Sequence, residues 1–154
     1  MLGRCTRMTK RLQIKLPSGW SDCSADNDGA PTYIRELSDE AGPLQVSWAE
    51  YTSGEIPDPS TDDLIQMSRE LGQSQGFGGL IESSGGTCDF GRLGTAVFRS
   101  SDQRVQIWHL SNGRDFITVT HIGPRHPDSD ELREAQEIVR TITLGEGKPK
   151  WKFW

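Results

Sequence analysis

The segment that most constrains this chain is Gln103-Arg104-Val105-Gln106-Ile107-Trp108-His109-Leu110, joined through Ser111-Asn112-Gly113-Arg114 to Asp115-Phe116-Ile117-Thr118-Val119-Thr120-His121. Two β-favouring runs around Asn-Gly read as a hairpin, because a type I′ turn needs positive φ at both central residues. That turn sets Leu110 opposite Asp115, Trp108 opposite Ile117 and Gln106 opposite Val119. One face then carries Trp108, Leu110, Ile117 and Val119. The other carries Val105, Ile107, Phe116 and the methyl groups of Thr118 and Thr120. A sheet with one wet side alternates apolar and polar residues. Here both faces are apolar, so each must be covered. The hairpin therefore dictates architecture and is silent on chemistry.

The elements that could cover it are legible. Ser60 offers an N-cap with Asp63 three residues on, and Leu64, Met67 and Leu71 recur on one side, which predicts a helix over residues 60–71 ending near Gly72. Asp128 opens a second helix over residues 128–144, with Glu131 at the capping-box position, Leu132, Ala135, Val139 and Ile142 as its buried stripe, and Gly145 as its end. Strands are expected at residues 12–16, 32–37, 44–51, 80–83 and 93–100. Asp26-Asn27-Asp28-Gly29 reads as a turn, residues 53–59 as a Pro/Gly connection and residues 76–79 as a loop. The order of strands, helix, strands, helix is an α+β plan: an antiparallel sheet flanked by helices, an α/β/α sandwich. A chain of 154 residues can bury one core without metal or disulfide. That domain is taken as residues 12–144, between a disordered basic leader at 1–11 and a basic, aromatic tail at 145–154.

The formal charge of −5 argues against a nucleic-acid role built on phosphate contacts. The charge is uneven: Arg4, Arg7, Lys10, Arg11 and Lys15 make one end basic, Lys148, Lys150 and Lys152 the other, and the middle is acidic. Cys5, Cys23 and Cys88 are an odd number at wide spacing, which fits a reduced, cytoplasmic chain better than a disulfide framework. No apolar run is long enough for a membrane span or a signal peptide. Met8 competes with Met1 as the start.

Each motif that could carry chemistry fails a physical test. Gly86-Thr87-Cys88-Asp89-Phe90-Gly91-Arg92 spaces its glycines like a phosphate loop, but Arg92 and Leu93 replace the lysine and hydroxyl, and a strand follows instead of a helix. Ser24–Gly29 resembles part of a calcium loop whose twelfth position falls on Arg35, which cannot ligate the ion. His109 and His121 fall on opposite faces of the hairpin and cannot share a metal. Acidic residues at Asp62, Asp63, Asp128, Asp130 and Glu131 suit helix N-termini. No catalytic residue, metal ligand or cofactor is assigned, and the chain is expected not to be an enzyme. The alternative is a small enzyme or ligand-binding domain using Cys88 and His126 with nearby carboxylates. The tail Lys148-Pro149-Lys150-Trp151-Lys152-Phe153-Trp154 leaves three readings open: docking on an acidic partner, peripheral membrane binding, or a cover folded back on its own domain.

Leu12-Gln13-Ile14-Lys15-Leu16-Pro17-Ser18-Gly19-Trp20, then paired strands, a mid-chain helix, a long hairpin and a closing helix through Glu137-Ile138-Val139-Arg140-Thr141-Ile142, resembles the PsbP-like superfamily. That group includes the extrinsic photosystem subunit, a Ran-binding release factor and bacterial adaptor chaperones of type VI secretion effectors, which this chain resembles most in size and element order. The resemblance implies an antiparallel sheet between helices that binds other proteins without catalysis. It also implies an adaptor, chaperone or immunity-type partner of a secreted effector, and a homodimer as one assembly. Trp48 and Trp108, at alternating strand positions, are the expected anchors for the partner, with Trp151, Phe153 and Trp154 of the tail beside them.

Overall fold

The hairpin lies inside one large sheet, and both of its faces are covered. The structure, a computed structural model, describes residues 10–146. In chain order the elements are β1 (Lys10–Gln13), β2 (Trp20–Asp22), a 3₁₀ turn (Ser24–Asn27), β3 (Thr32–Arg35), β4 (Leu44–Ala49), α1 (Thr61–Gln75), β5 (Gly79–Cys88), β6 (Gly91–Arg99), β7 (Gln103–Ser111), β8 (Phe116–Pro124), α2 (Ser129–Thr141) and β9 (Thr143–Glu146). Seven strands form an antiparallel sheet in the order β2-β3-β4-β8-β7-β6-β5. Strands β1 and β9 form a separate ribbon. The fold is α+β, with one helix on each face of the sheet.

The hairpin's faces are as the alternation predicts, but its register is not. Leu110 pairs with Ile117, Trp108 with Val119 and Gln106 with His121, a shift of two from the expected pairing. The side chain of Asn112 explains it. Its Oδ1 accepts from the amides of Arg114 (3.0 Å) and Asp115 (2.8 Å). Gly113 has φ of +98°, whereas Asn112 is not in the left-handed region, so the turn is not type I′. Asp115 leaves the ladder and turns inward, where its carboxylate accepts from Lys10 Nζ (2.5 Å) and the Tyr51 amide (2.7 Å). A shift of one would have exchanged the faces; a shift of two preserves them.

On one face α1 packs across β5, β6 and β7. Ser60 and Asp63 form the expected capping box. The helix continues past Gly72 to Gln75, because Gly72 is a packing residue and not a stop: a Cβ there would lie 2.0 Å from the Phe98 ring. Gly94 lets the same approach happen from the sheet side, since a Cβ there would lie 2.2 Å from the Ile65 amide nitrogen. Phe98, Val105 and Ile107 form the small core below. Within it, the Ser68 hydroxyl donates to the Gly94 carbonyl (3.2 Å) and accepts from His109 Nδ1 (2.8 Å).

On the other face α2 closes a larger core that includes Trp20, Tyr33, Leu44, Val46, Trp108, Leu110, Ile117, Val119 and Ile138. Asp128 caps α2 as expected, its side chain accepting from the Asp130 amide. Glu131 is not the capping-box partner; it turns into the core toward His121. The helix ends at Thr141, not at Gly145, because Ile142 takes extended geometry (φ −70°, ψ 138°) and stays fully buried. Residues 143–146 then pair with β1, where Leu12 faces Leu144. Lys10 and Arg11, expected in the leader, and Gly145, expected in the tail, are therefore strand residues.

Burial pushes the His109 imidazole down to about 4, so it is neutral in the fold at neutral pH. In the unfolded chain it titrates near 6.5, so the unfolded state takes up the proton first as pH falls. Stability should therefore be fully present above about pH 6.5 and decline toward pH 4, by on the order of 3 kcal/mol from this group alone. Urea melts of the protein and of His109→Gln across that window measure it. The variant's curve should be flatter; equal slopes would contradict a neutral, buried His109.

Candidate functional site

The sheet ends unequally. Strand β2 forms a short edge, whereas β5, at the opposite edge, runs for 10 residues and is exposed through Gly85. An open edge offers unpaired amides and carbonyls to another strand, and proteins blunt such edges with lysine, proline, bulges or covering segments. Strand β5, Gly-Leu-Ile-Glu-Ser-Ser-Gly-Gly-Thr-Cys, has neither lysine nor proline, and its bulge lies near its start, between Leu80 and Glu82. Leu80 and Ile81 beside the bulge are 36% and 48% exposed, two of the few large apolar side chains on the surface.

Behind this edge, on the α2 side, a cavity of about 180 Å³ opens between β5 and the helix. Glu82, Thr95, Gln106 and Trp108 line it from the sheet, and Gln136 and Arg140 from α2. Its residues Thr95 and Gln106 belong to a chain of buried polar groups. Arg104 Nη2 donates to Gln106 Oε1 (3.2 Å), Gln106 Nε2 to Thr95 Oγ1 (3.0 Å), and the Thr95 hydroxyl to the Ile107 carbonyl (2.7 Å). Polar groups so placed inside an antiparallel sheet cost stability unless partnered, and this chain partners most of them.

A second region lies at the start of α2. Ser38, Asp39, Glu40, Pro124, His126 and Asp128 line an open hollow of about 310 Å³. Beneath α2, His121 Nε2 meets Glu131 Oε2 at 2.6 Å, and the Gly42 amide donates to the same oxygen at 3.0 Å. Both side chains are almost wholly buried. Burial would raise the Glu131 carboxyl, but the bonds from His121 and Gly42 outweigh it and hold it below its ordinary value. Beside it, Arg35 Nε and Trp20 Nε1 both donate to Glu134 Oε1 at 2.9 Å, which binds the Pro-Ser-Gly-Trp turn to α2. This arrangement fastens α2 to the sheet.

The residues singled out in the sequence fall in different places. Trp108 is 3% exposed, so it fills the core and offers no surface to a partner. Trp48 is half-buried against the same core. Cys88 and His126 lie near opposite ends of α2, a helix about 20 Å long. The Asp89 amide, next to Cys88, meets the Arg140 carbonyl at the C-terminal end, whereas His126 lies near the N-cap Asp128. Burial pushes the Cys88 thiol up, away from the reactive thiolate. Cys23 and Cys88 are free. His109 and His121 point to opposite faces, toward Ser68 and Glu131. Among the described residues no three His, Cys, Asp or Glu side chains cluster to hold a metal ion. Trp151, Phe153 and Trp154 lie outside the described residues. No described helix is long and apolar enough to cross a membrane.

No family model and no curated protein sequence matches this chain. Solved structures do. LpqN of Mycobacterium tuberculosis, described as involved in cell envelope biogenesis, aligns with a TM-score of 0.60 at 11% identity, over 90% of this chain and 85% of LpqN. Cyanobacterial PsbP (CyanoP) from Synechocystis sp. PCC 6803 aligns with a TM-score of 0.51 at 16% identity, over 86% of this chain and 92% of its own. A Bacteroides thetaiotaomicron VPI-5482 structure aligns with a TM-score of 0.48 at 13% identity, over 93% of this chain, which spans only 47% of that protein. The fold is PsbP-like.

Placement separates core from surface for the tryptophans. Trp108→Ala should cost about 3–5 kcal/mol, the range for emptying a large buried aromatic site. Trp48→Ala should cost less, because its side chain is only partly buried against that core. Equilibrium urea unfolding measures both. A Trp108→Ala variant as stable as the wild type would contradict its place in the core.

Proposed function

We propose that this chain is a non-catalytic protein-binding module, and that its binding surface is the β5 edge. The observation that carries this reading is the edge itself: a strand of 10 residues, open along most of its length and unguarded by lysine or proline. Adding an extended segment of another protein to such an edge satisfies its free backbone groups, with alternate side chains of the segment supplying specificity. Leu80 and Ile81 offer apolar contact beside the strand, and the neighbouring cavity offers polar contact behind it. The adaptor or chaperone role implied by the family resemblance is one form of this reading, with an effector segment as the added strand. A reduced, cytoplasmic setting belongs to the same proposal.

A displayed library of extended 12-residue peptides, selected on the purified protein, tests it. Selected peptides should shift the backbone amide resonances of Gly79–Cys88 on titration. Ser83→Lys, on an exposed edge position, should weaken them tenfold or more without changing the melting temperature. Peptides that shift only the outer face of α1, or that bind Ser83→Lys as well as wild type, would overturn the proposal.

A further inference from the structure

The turn between β7 and β8 carries chemistry of its own, apart from the β5 edge. The chain holds two asparagines, Asn27 and Asn112, and only Asn112 is followed by glycine. An asparagine carboxamide can react with the main-chain nitrogen of the next residue, and a side chain on that residue obstructs the approach. Gly113 has none. Beyond its chain neighbours, the nearest atom to where its Cβ would stand is Asp58 Oδ1, at 3.6 Å, so the approach is open. Asn112 itself is exposed, which gives water access to its side chain.

The hydrogen bonds of the turn fall on the atoms that such a reaction uses. Asn112 Oδ1 accepts from the amides of Arg114 (3.0 Å) and Asp115 (2.8 Å). Both donors lie beyond Gly113, so the carboxamide folds forward over the Gly113 peptide. Its oxygen gains negative charge when the carboxamide carbon is attacked, and two amides already aimed at it act as an oxyanion hole. The attacking nitrogen is held as well. The Gly113 amide donates to Ser111 Oγ at 3.0 Å, an acceptor in place for the proton that the nitrogen must give up. Asn27 shows the contrast. It is held by the other end of its carboxamide, Nδ2 donating to the Cys23 carbonyl (3.1 Å), and Asp28 follows it.

We propose that Ser111-Asn112-Gly113 is a self-modification site, at which Asn112 deamidates through a cyclic imide. The Gly113 nitrogen bonds to Asn112 Cγ, and its proton passes through the Ser111 hydroxyl. The bond from Cγ to Nδ2 breaks, and ammonia leaves with that proton. Water then opens the imide at either carbonyl, giving aspartate or isoaspartate, with no oxidant or reductant needed. In the isoaspartyl product the main chain runs through Cγ, so the carboxamide's hold on the Arg114 and Asp115 amides is lost. That hold sets the inward turn of Asp115 toward Lys10 and the Tyr51 amide, so the change loosens β1 from the hairpin.

Incubation of the full chain in native buffer and, in parallel, in denaturing urea at the same pH tests this, with the Asn112 and Asn27 peptides followed by digestion and mass spectrometry. Asn112 should convert at least tenfold faster in the folded protein than in urea, while Asn27 lags behind it. Ser111→Ala should slow conversion of the folded protein severalfold and leave the rate in urea unchanged. Converted protein, separated by ion exchange, should show the Arg114 and Asp115 amides exchanging with solvent faster than before. Conversion of wild-type Asn112 no faster folded than in urea, or a folded rate that Ser111→Ala leaves untouched, would overturn the proposal.

Discussion

Everything in this structure depends on a strand with no wet side. Every residue of β7 except Gln103 is buried. A strand in that position needs a neighbour on both edges and a cover on both faces, since its backbone groups and its apolar side chains must all leave water. Strands β6 and β8 supply the edges. Helix α1 supplies one face through the close contacts that Gly72 and Gly94 permit, and α2 supplies the other over Trp108, Leu110 and Val119. Each helix is then fastened by a buried histidine of the hairpin: His109 to Ser68 of α1, and His121 to Glu131 of α2.

Covering the centre leaves the β5 margin open. Helix α1 lies over β5, β6 and β7 on its face, whereas α2 meets the β5 end only with its later residues, around Gln136, Val139 and Arg140. The uncovered strip on that side is polar. Glu82, Ser84, Thr95 and Gln106 line it, in contrast to the apolar stretch around Ile117 and Val119. Two features follow from one packing fact: an edge with free backbone groups, and beside it a polar recess.

The sequence made visible whatever periodicity encodes. The two apolar faces of the hairpin, the capped start of α1 at Ser60 and the cap of α2 at Asp128 could all be read from spacing. What it hid was set by single side chains acting out of pattern. Asn112 binding the next amides moved the register, and Glu131 turning to His121 left the capping box unmade. Strand β5 was legible only at its start, because Ser83-Ser84-Gly85-Gly86 has the composition of a loop and is a strand by virtue of pairing with β6. Trp48 and Trp108 drew attention as anchors by size alone; burial, which size does not encode, places Trp108 in the core. Gln106 stood in plain view inside an apolar strand, and that break in the pattern was the available signal for the recess.

The central claim, an enclosed β7 beside an open β5, is tested most directly by native-state amide hydrogen exchange followed residue by residue. Amides of β7 should exchange only through global unfolding, at the slowest rates in the molecule. In β5, residues whose amides face β6 should be protected, and the alternate ones, facing outward, should exchange orders of magnitude faster. Uniform protection along Gly79–Cys88 would mean that the edge is already covered, by the chain itself or by a second copy, and would contradict the account.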